Sequence, residues 1–510
     1  MKNKFYITST LPYVNAPPHI GFALEIVQAD VIARYHSILG DDVFFNTGTD
    51  EHGLKVYQKA LEEKKDPQKY CDECAAKFDL LKEKLNLSYN NFIRTTDKHH
   101  IKAAQEFWKR CEAKGDIYKK NYKTKYCVGC ELEKTESELV NGRCQIHPDR
   151  EIEIIEEENY FFRFSKYQKP LLDLYDKYPN FVLPEHRQKE IYNFVKNGLQ
   201  DFSISRLKSK MPWGIPVPGD DNHVMYVWFD ALINYISCLG WPKDQKKFEE
   251  FWGKKDKPNA IQIAGKDNLR QQTAMWQAML LSAELLPSKQ VLIHGFINLA
   301  GQKISKSPSP SPSPSPSAQP SNLLPKSLSP SILLSPIELV DKYGIDTVRY
   351  YLLRGIPTFE DGDFSIEKLE ELYNSDLANG LGNLIARVLT MIEKYGLQKV
   401  VSEDKVDFEY KRFFDSGKDV AIDSLNKSEL FESLVLVWRL IGITGNKYID
   451  NSKPWELAKT DKKKLEQVLS NLLFCISEVA NLIAPFLPET SEKIKNQIKT
   501  GKTEILFPRI

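Results

Sequence analysis

From Lys4 to Gly53 a buried-strand pattern, a helical pattern and a second buried-strand pattern follow one another without a break. "KFYITSTLPYVN" reads as a strand, and "IGFALEIVQADVIARYHSILG" carries apolar residues at helical spacing up to Gly40, a glycine suited to stop a helix. "DDVFFNTGTDEHG" is then a second buried strand closed by a polar, glycine-bearing turn. Strand, helix, strand in this order predicts a parallel sheet, which takes its ligands at the carboxyl ends of its strands. Around Lys119 to Ile155 the text changes to short polar segments, and "MYVWFDALINYI" and "NAIQIAGKDNL" later resume the buried-strand pattern. The sheet is therefore expected to be interrupted by an insertion. Beyond about Glu370 the period is helical throughout, which predicts a helix bundle. The expected fold class is α/β: a Rossmann-like parallel-sheet domain interrupted by a connective insertion and followed by an α-helical bundle. The boundaries read as 1–117 and 226–302 for the two halves of the sheet domain, 118–225 for the insertion, 303–370 for a lysine-loop region with a Ser-Pro-rich insert at 308–334, and 371–510 for the bundle.

A chain of 510 residues, 42% of them hydrophobic, can bury several cores. Seventy basic against sixty-nine acidic side chains leave a formal charge of +1, so a nucleic-acid partner must be argued from local surface rather than from net charge. The amino terminus lacks the apolar core and cleavage site of a secretory signal, and no run approaches the roughly 18 apolar residues of a membrane span. The chain reads as cytoplasmic, with no membrane partner. Eight cysteines in so long a chain, three of them in one metal-like cluster, argue for reduced thiols.

That cluster is Cys127-x2-Cys130 followed after thirteen residues by Cys144-x2-His147. Two close pairs of soft ligands bend around one tetrahedral zinc, and three thiolates with one imidazole fill its shell, which predicts a structural metal. Coincidental surface thiols are the alternative. Cys71 and Cys74 lie in a helical stretch with no second pair nearby and read as contributors to a core face. "PPHIGFA" puts His19 and Gly21 where a strand gives way to a helix, a place where free amides and the helix dipole attract phosphate and where glycine admits a close approach. Such a pair is also a common purely structural device. "QKISKS" offers Lys303 and Lys306, three apart on a loop, able to bracket a polyphosphate, although loop lysines are commonly just solvated.

In combination, "PHIG", a zinc-type insertion, "YVWFDA", "GKD", "KISKS" and a helical tail resemble the class I aminoacyl-tRNA synthetases, and within them the methionyl-tRNA synthetase family. "TLPYVN", "NTGTDEHG", "FIRTTD", "WGIPVP", "VDKYGIDTVRYYLLR" and "EDGDFS" extend the likeness over nearly the whole chain. The resemblance implies activation of methionine by ATP, with Mg2+ as its companion, to methionyl-adenylate and pyrophosphate, then transfer to the terminal adenosine of methionine tRNA, initiator and elongator. By that resemblance His19 and Gly21 hold ATP, Lys303 and Lys306 stabilise the leaving pyrophosphate, and Asp267 lies near the adenosine. Leu11, Tyr13 and Asp50 take the backbone end of methionine; Trp228, Ala231, Tyr235 and Gln272 line its side-chain pocket. Without the family text, "YVWFDALINY" reads as a buried strand and turn. Asn383, Arg387, Pro454 and Trp455 fall at anticodon-reading positions, where amide, guanidinium and aromatic groups suit unstacked bases; an N-cap asparagine and a buried tryptophan are the plainer reading. The carboxylate of methionine carries its own attacking oxygen, so the chemistry asks for positioning and charge neutralisation.

The family's first signature ends in a second histidine where this chain has Phe22, which leaves phosphate contacts to His19 and backbone amides. Gln272 stands where "GKDxxxxH" would place a histidine, keeping a hydrogen bond but no protonic charge. These departures motivate a second hypothesis, a catalytically silent tRNA-binding paralogue, against which stand the retained His19, Asp50, Lys303 and Lys306. A ligase for leucine, isoleucine or valine would bring a larger editing insertion. The chain runs out at Ile510 just after the bundle, so a monomer is expected. Between the lysine loop and Ser335, Pro308 to Leu334 takes the place of about five residues of family text, of the kind "LGNVI". Its alternating Ser-Pro start favours an extended polyproline form that, at about 3.1 Å per residue, projects roughly 34 Å from Ser307 to Ser317. Lys326 inside it is a remote candidate for a displaced loop lysine.

Overall fold

The computed structural model describes residues 2–130, 132–134, 138–299, 302–303, 335–398 and 401–510. At its centre is a six-stranded, wholly parallel sheet of β1 (Lys4–Ser9), β2 (Asp42–Thr49), β3 (Asn91–Arg94), β4 (Val182–Leu183), β5 (Ala260–Gly265) and β6 (Gln290–His294). The spatial order is β3-β2-β1-β5-β6-β4. The chain runs outward from β1 through β2 to β3 on one side and from β5 to β6 on the other, where β4 forms the edge, so a crevice opens at the carboxyl ends of β1 and β5. Their register sets Tyr6 opposite Ala260 and Ser9 opposite Ile263.

The buried-strand pattern has a direct cause in the packing. Phe5 and Ile7 of β1, Phe45 of β2 and Leu292 of β6 enter one apolar core, while Tyr6, Phe44, Val291 and Ile293 enter another on the opposite face. Both faces are covered, and the strands read as continuous apolar runs rather than alternating ones. Helix α1 (Ile20–Ile38) packs into the first core along almost its whole circumference. It stops as its sequence predicts, with Leu39 as the C-cap and Gly40 in the left-handed region at φ +90°.

One expectation is corrected. "MYVWFDALINYI" is not a sheet strand: the strand Asp220–Met225 belongs to a small antiparallel sheet, and from Val227 the chain turns into short helices, Val227–Ala231 and Asn234–Ser237. Every residue from Val227 to Ser237 except Trp228 is buried. Burial on all sides erases the periodicity that separates a helix from a strand.

Between β3 and β4 a long antiparallel ladder pairs Ile117–Cys127 with Glu153–Phe162, and the cysteine cluster sits at its far end. On the carboxyl side of the sheet, Ile297–Leu299 pairs antiparallel with Gln302–Lys303 and parallel with Gly362–Asp363. Lys306 and the Ser-Pro run lie outside the described residues. Ser335 resumes the chain as the N-cap of helix Pro336–Tyr343, its hydroxyl accepting from Glu338 N at 3.4 Å. The helices Asn383–Lys394, Phe408–Asn426, Leu430–Leu440, Lys462–Ile483 and Pro488–Thr500 enclose a third core, the bundle read from the sequence.

Arg349 joins these parts. Fully buried, it pairs with Asp30 of α1 at 2.8 Å and donates to the carbonyls of Leu85, Pro485 and Phe486 at 3.0, 3.2 and 2.8 Å. A planar guanidinium with five donors suits so many acceptors around one point.

Candidate active site

The carboxyl ends of β1 and β2 are zipped together by backbone bonds. Tyr13 bridges Asp50, Asp50 N donates to Pro12 O at 3.0 Å, and Val14 N donates to Asp50 O at 3.2 Å. This brings Tyr13 and the buried Asp50 to one place, with Leu11 two residues away packing on the second core. The Tyr13 hydroxyl donates to His52 O at 2.7 Å, which fixes its ring relative to the β2 turn.

The short helices after Met225 supply a second wall. Trp228 is half-buried and its indole nitrogen meets no acceptor among the described residues; Ala231 and Tyr235 are buried. Asn234 ties this wall to the sheet by accepting from Asn46 of β2 at 3.2 Å and donating to Ala231 O at 2.7 Å. Burial, reinforced by the negative charge of Glu25, pushes the Tyr235 phenol far above its ordinary range, against the pull of hydrogen bonding with Gln272. Gln272 is itself buried, and its amide oxygen accepts from Gln262 of β5 at 3.3 Å. Tyr235 and Gln272 thus come together beside Gln262 of β5, while Trp228 and Ala231 lie on the short helix just before.

The phosphate-type corner is the start of α1. His19 caps the helix with extended backbone, and its Nδ1 accepts from Gly21 N at 3.1 Å. That bond places the ring's proton on Nε2, the nitrogen then able to donate to an anion. A Cβ on Gly21 would lie 2.9 Å from His19 Cε1, so the glycine is what lets the imidazole fold over the first turn. Phe22 points elsewhere: it is buried and meets Phe78 edge-on at 5.5 Å. Packing against Phe78 explains an apolar residue there. Asp267 follows β5 in the short turn Lys266–Asn268. The backbone of Lys303 is in the hairpin described above, and Lys306 is outside the described residues.

Several groups here were not read from the sequence. Glu25, buried on α1, accepts from Thr10 N at 2.7 Å and Thr10 Oγ1 at 2.5 Å and faces His294 Nε2 at 3.1 Å. Burial disfavours the His294 charge, but Glu25 outweighs it and raises the imidazole above its usual value. A carboxylate inside the apolar text "IGFALEIV" was the available signal. His52, His100 and Asp230 form another buried group, with His52 Nδ1 and His100 Nε2 at 2.7 and 2.8 Å from the Asp230 carboxylate.

At the end of the long ladder, the ligand atoms of Cys127, Cys130, Cys144 and His147 all lie within 4.8 Å of one another. Cys130 Sγ is 3.4 Å from Cys144 Sγ and 3.2 Å from His147 Nδ1, and Cys127 Sγ is 3.9 Å from His147 Nδ1. A tetrahedral ion with bonds of about 2.0–2.3 Å needs edges of about 3.3–3.8 Å, so the donor set fits zinc in size and chemistry. Burial pushes the Cys130 thiol up to about 12, with Cys144 adding to it against Lys134. Burial also acts on Cys144, but the His147 and Ile146 amides and the neighbouring thiols hold it below its ordinary value. The cluster is shaped by two glycines. Asn141 and Gly142, at φ +52° and +73°, turn the hairpin that carries Cys144, and a Cβ on Gly129 would lie 2.4 Å from His147 Cγ. Lys55, just after the β2 turn, donates to Gly129 O at 2.7 Å and so ties the cluster to the crevice. Cys71 and Cys74 are both buried on helix Pro67–Asp79, as core thiols, and all eight cysteines are unpaired.

In the bundle, Asn383 is exposed and Arg387 pairs with Asp450 at 2.8 Å. Asp450 lies on Tyr448–Ser452, directly before Pro454–Thr460, so the three helices adjoin. Trp455 is 42% exposed, which displaces the plainer reading of a buried tryptophan. Asn383 continues a π-helical stretch, Tyr373–Gly382, and is no N-cap. Pro454 is buried at the first position of its helix.

Comparison with known proteins gives a consistent picture. A family model described as "tRNA synthetases class I (M)" matches residues 5–144, 129–311 and 325–389, and one described as "Anticodon binding domain of methionyl tRNA ligase" matches 425–508. The first model passes over 312–324, inside the Ser-Pro run. A methionine--tRNA ligase of Thermotoga maritima is 41% identical over 97% of this chain and 75% of its own length. One from Caldanaerobacter subterraneus is 39% identical over 100% of this chain and 79% of its own length. The structure of Mycobacterium tuberculosis methionyl-tRNA synthetase in complex with methionyl-adenylate superposes with a TM-score of 0.86 at 34% identity, covering 100% of this chain and 97% of that one.

Proposed function

The chain belongs to the methionyl-tRNA synthetase family of class I, and on that footing we propose how its residues divide the ligation of methionine to methionine tRNA. The observation that carries the reading is the zipped pair of loops, Leu11–Tyr13 and Asp50, at the carboxyl ends of β1 and β2, joined through His52 and Asp230 to the helix that carries Trp228 and Ala231. The Asp50 carboxylate is the partner for the ammonium of methionine, and the aromatic wall suits a polarizable thioether. His19 Nε2–H and the amides of the first turn of α1, kept accessible by Gly21, take the ATP phosphates, with Asp267 towards the adenosine. The methionine carboxylate then attacks the α-phosphorus in line with the departing pyrophosphate, whose charge falls to Lys303 and Lys306 and to the Mg2+ that accompanies ATP. Transfer to the terminal adenosine of tRNA releases AMP.

Asn383, Arg387, Pro454 and Trp455 read the anticodon of initiator and elongator tRNA, the exposed Trp455 by stacking. Cys127, Cys130, Cys144 and His147 hold one zinc, which supplies a structural crosslink and no chemistry on the substrates. Divisions at 117, 225, 302 and 370 and a monomeric state complete the reading. No described helix is long and apolar enough to cross a membrane, in line with a cytoplasmic place of work.

Methionine-dependent ATP–pyrophosphate exchange tests it. Exchange should be strong with methionine and far weaker with leucine. Homocysteine should be rejected only in part, because one methyl is worth about 1–3 kcal/mol in a pocket. Equal rates with leucine would refute the assignment, and no exchange at all would favour the tRNA-binding paralogue.

A further inference from the structure

Asp230 lies between Trp228 and Ala231 on the wall of the crevice, fully buried, with both carboxylate oxygens taken by histidines distant in sequence. His52 Nδ1 stands 2.7 Å from Oδ2 and His100 Nε2 stands 2.8 Å from Oδ1. The other nitrogen of His100 is 2.9 Å from Ser237 Oγ, and the carbonyl of His52 accepts the Tyr13 hydroxyl at 2.7 Å. An unbroken polar chain therefore runs from Ser237 through His100, Asp230 and His52 to Tyr13. It joins the helix Lys98–Ala113, the wall helices and the β2 turn. A carboxylate only accepts, so both facing ring nitrogens carry protons and the geometry is directional at each joint. Apolar residues of similar volume would hold such a joint at no worse stability, since buried ionic groups rarely add to it. What a polar chain supplies and apolar packing does not is a fixed angle between parts.

We propose that Asp230, with His52 and His100, is the positioning centre of the amino-acid pocket. It sets the spacing between the Tyr13–Asp50 edge and the Trp228–Ala231 wall, and so governs the affinity for methionine rather than the chemistry on ATP. The inference rests on the pocket reading given above.

The test is steady-state exchange on the full chain with methionine and ATP varied separately. Asp230→Asn preserves size but turns an amide N–H towards a ring N–H. Its KM for methionine should rise roughly tenfold, the scale of one charge-assisted hydrogen bond, while its KM for ATP stays at the parent value. His100→Gln keeps a donor for Asp230 and should raise the methionine KM far less than His100→Leu, which removes it; equal effects of the two would overturn the proposal. A residue that merely stabilises the fold would lower the active fraction, and hence kcat, with the methionine KM unmoved. That result in Asp230→Asn, or in His52→Leu should the first variant not be recovered folded, overturns the proposal. Trp228→Ala serves as the companion: an unchanged methionine KM there removes the pocket reading itself, whereas a raised one beside an unmoved Asp230→Asn removes this inference alone.

Discussion

Gly129→Ala should abolish the zinc binding proposed for the cysteine cluster. The added Cβ would lie 2.4 Å from His147 Cγ, 2.7 Å from Cδ2 and 2.8 Å from Nδ1. Carbon atoms settle at about 3.5 Å or more, so the imidazole must retreat by about 1 Å. Zinc bonds tolerate deviations of only about 0.2 Å. The ring cannot both clear the methyl and keep its bond, and the remaining three thiolates form an incomplete shell. Loss of an outer-shell partner alone weakens a metal site 10–100-fold, about 1.4–2.7 kcal/mol, and displacing a direct ligand should weaken it by at least that. The measurement is zinc retention against a graded chelator under reducing conditions, set beside Gly142→Ala. The latter meets no atom within 4 Å and only strains a turn at φ +73°, so it should retain zinc far better. A Gly129→Ala protein that holds zinc as tightly as its parent would refute the argument.

Gly21→Ala drives its methyl to 2.9 Å from His19 Cε1 and should cut exchange by about 100-fold, the scale expected when a positioning group moves by about 1 Å; exchange kinetics check it, with an unaltered rate as the contrary result. Trp455→Ala should lower aminoacylation by the roughly 1–3 kcal/mol of a lost base stack while leaving exchange nearly intact, and equal damage to both assays would make Trp455 a folding residue. Replacing Pro308–Leu334 with "LGNVI" should preserve or raise exchange, because the entropy of closing a connection changes only slowly with its length. A shortened protein that loses activity, or Lys326→Ala more harmful than Lys306→Ala, would make the insert part of the catalytic loop.

What the sequence disclosed was local. Two close pairs of candidate metal ligands announce themselves by spacing, and β1, α1 and β2 by their patterns of burial. The wall of Trp228 to Tyr235 misled because it is buried on every side, so a helix there carries no polar face to set a period. Tyr13 and Asp50 came together only through family text, since a backbone bridge between two loops leaves no mark on either. The least legible groups are those whose partners are remote: His52 and Asp230 are 178 positions apart, Glu25 and His294 are 269 apart, and a lone charged residue in an apolar stretch does not name its counterpart. Phe22 shows the converse, a departure from family text that the packing against Phe78 accounts for.

Arg349 bears on how this molecule can be divided. Its guanidinium answers Asp30 on the helix that His19 caps, and also the carbonyls of Pro485 and Phe486 near the end of the bundle. A fragment cut at 370 would keep that cation beside Asp30 but remove both of these carbonyls, and water would have to enter to solvate it. The catalytic half is therefore not a detachable module, and a chimera that exchanges the bundle must carry Pro485 and Phe486 in the same backbone pose. Through the same joint the bundle and α1 share one buried cation.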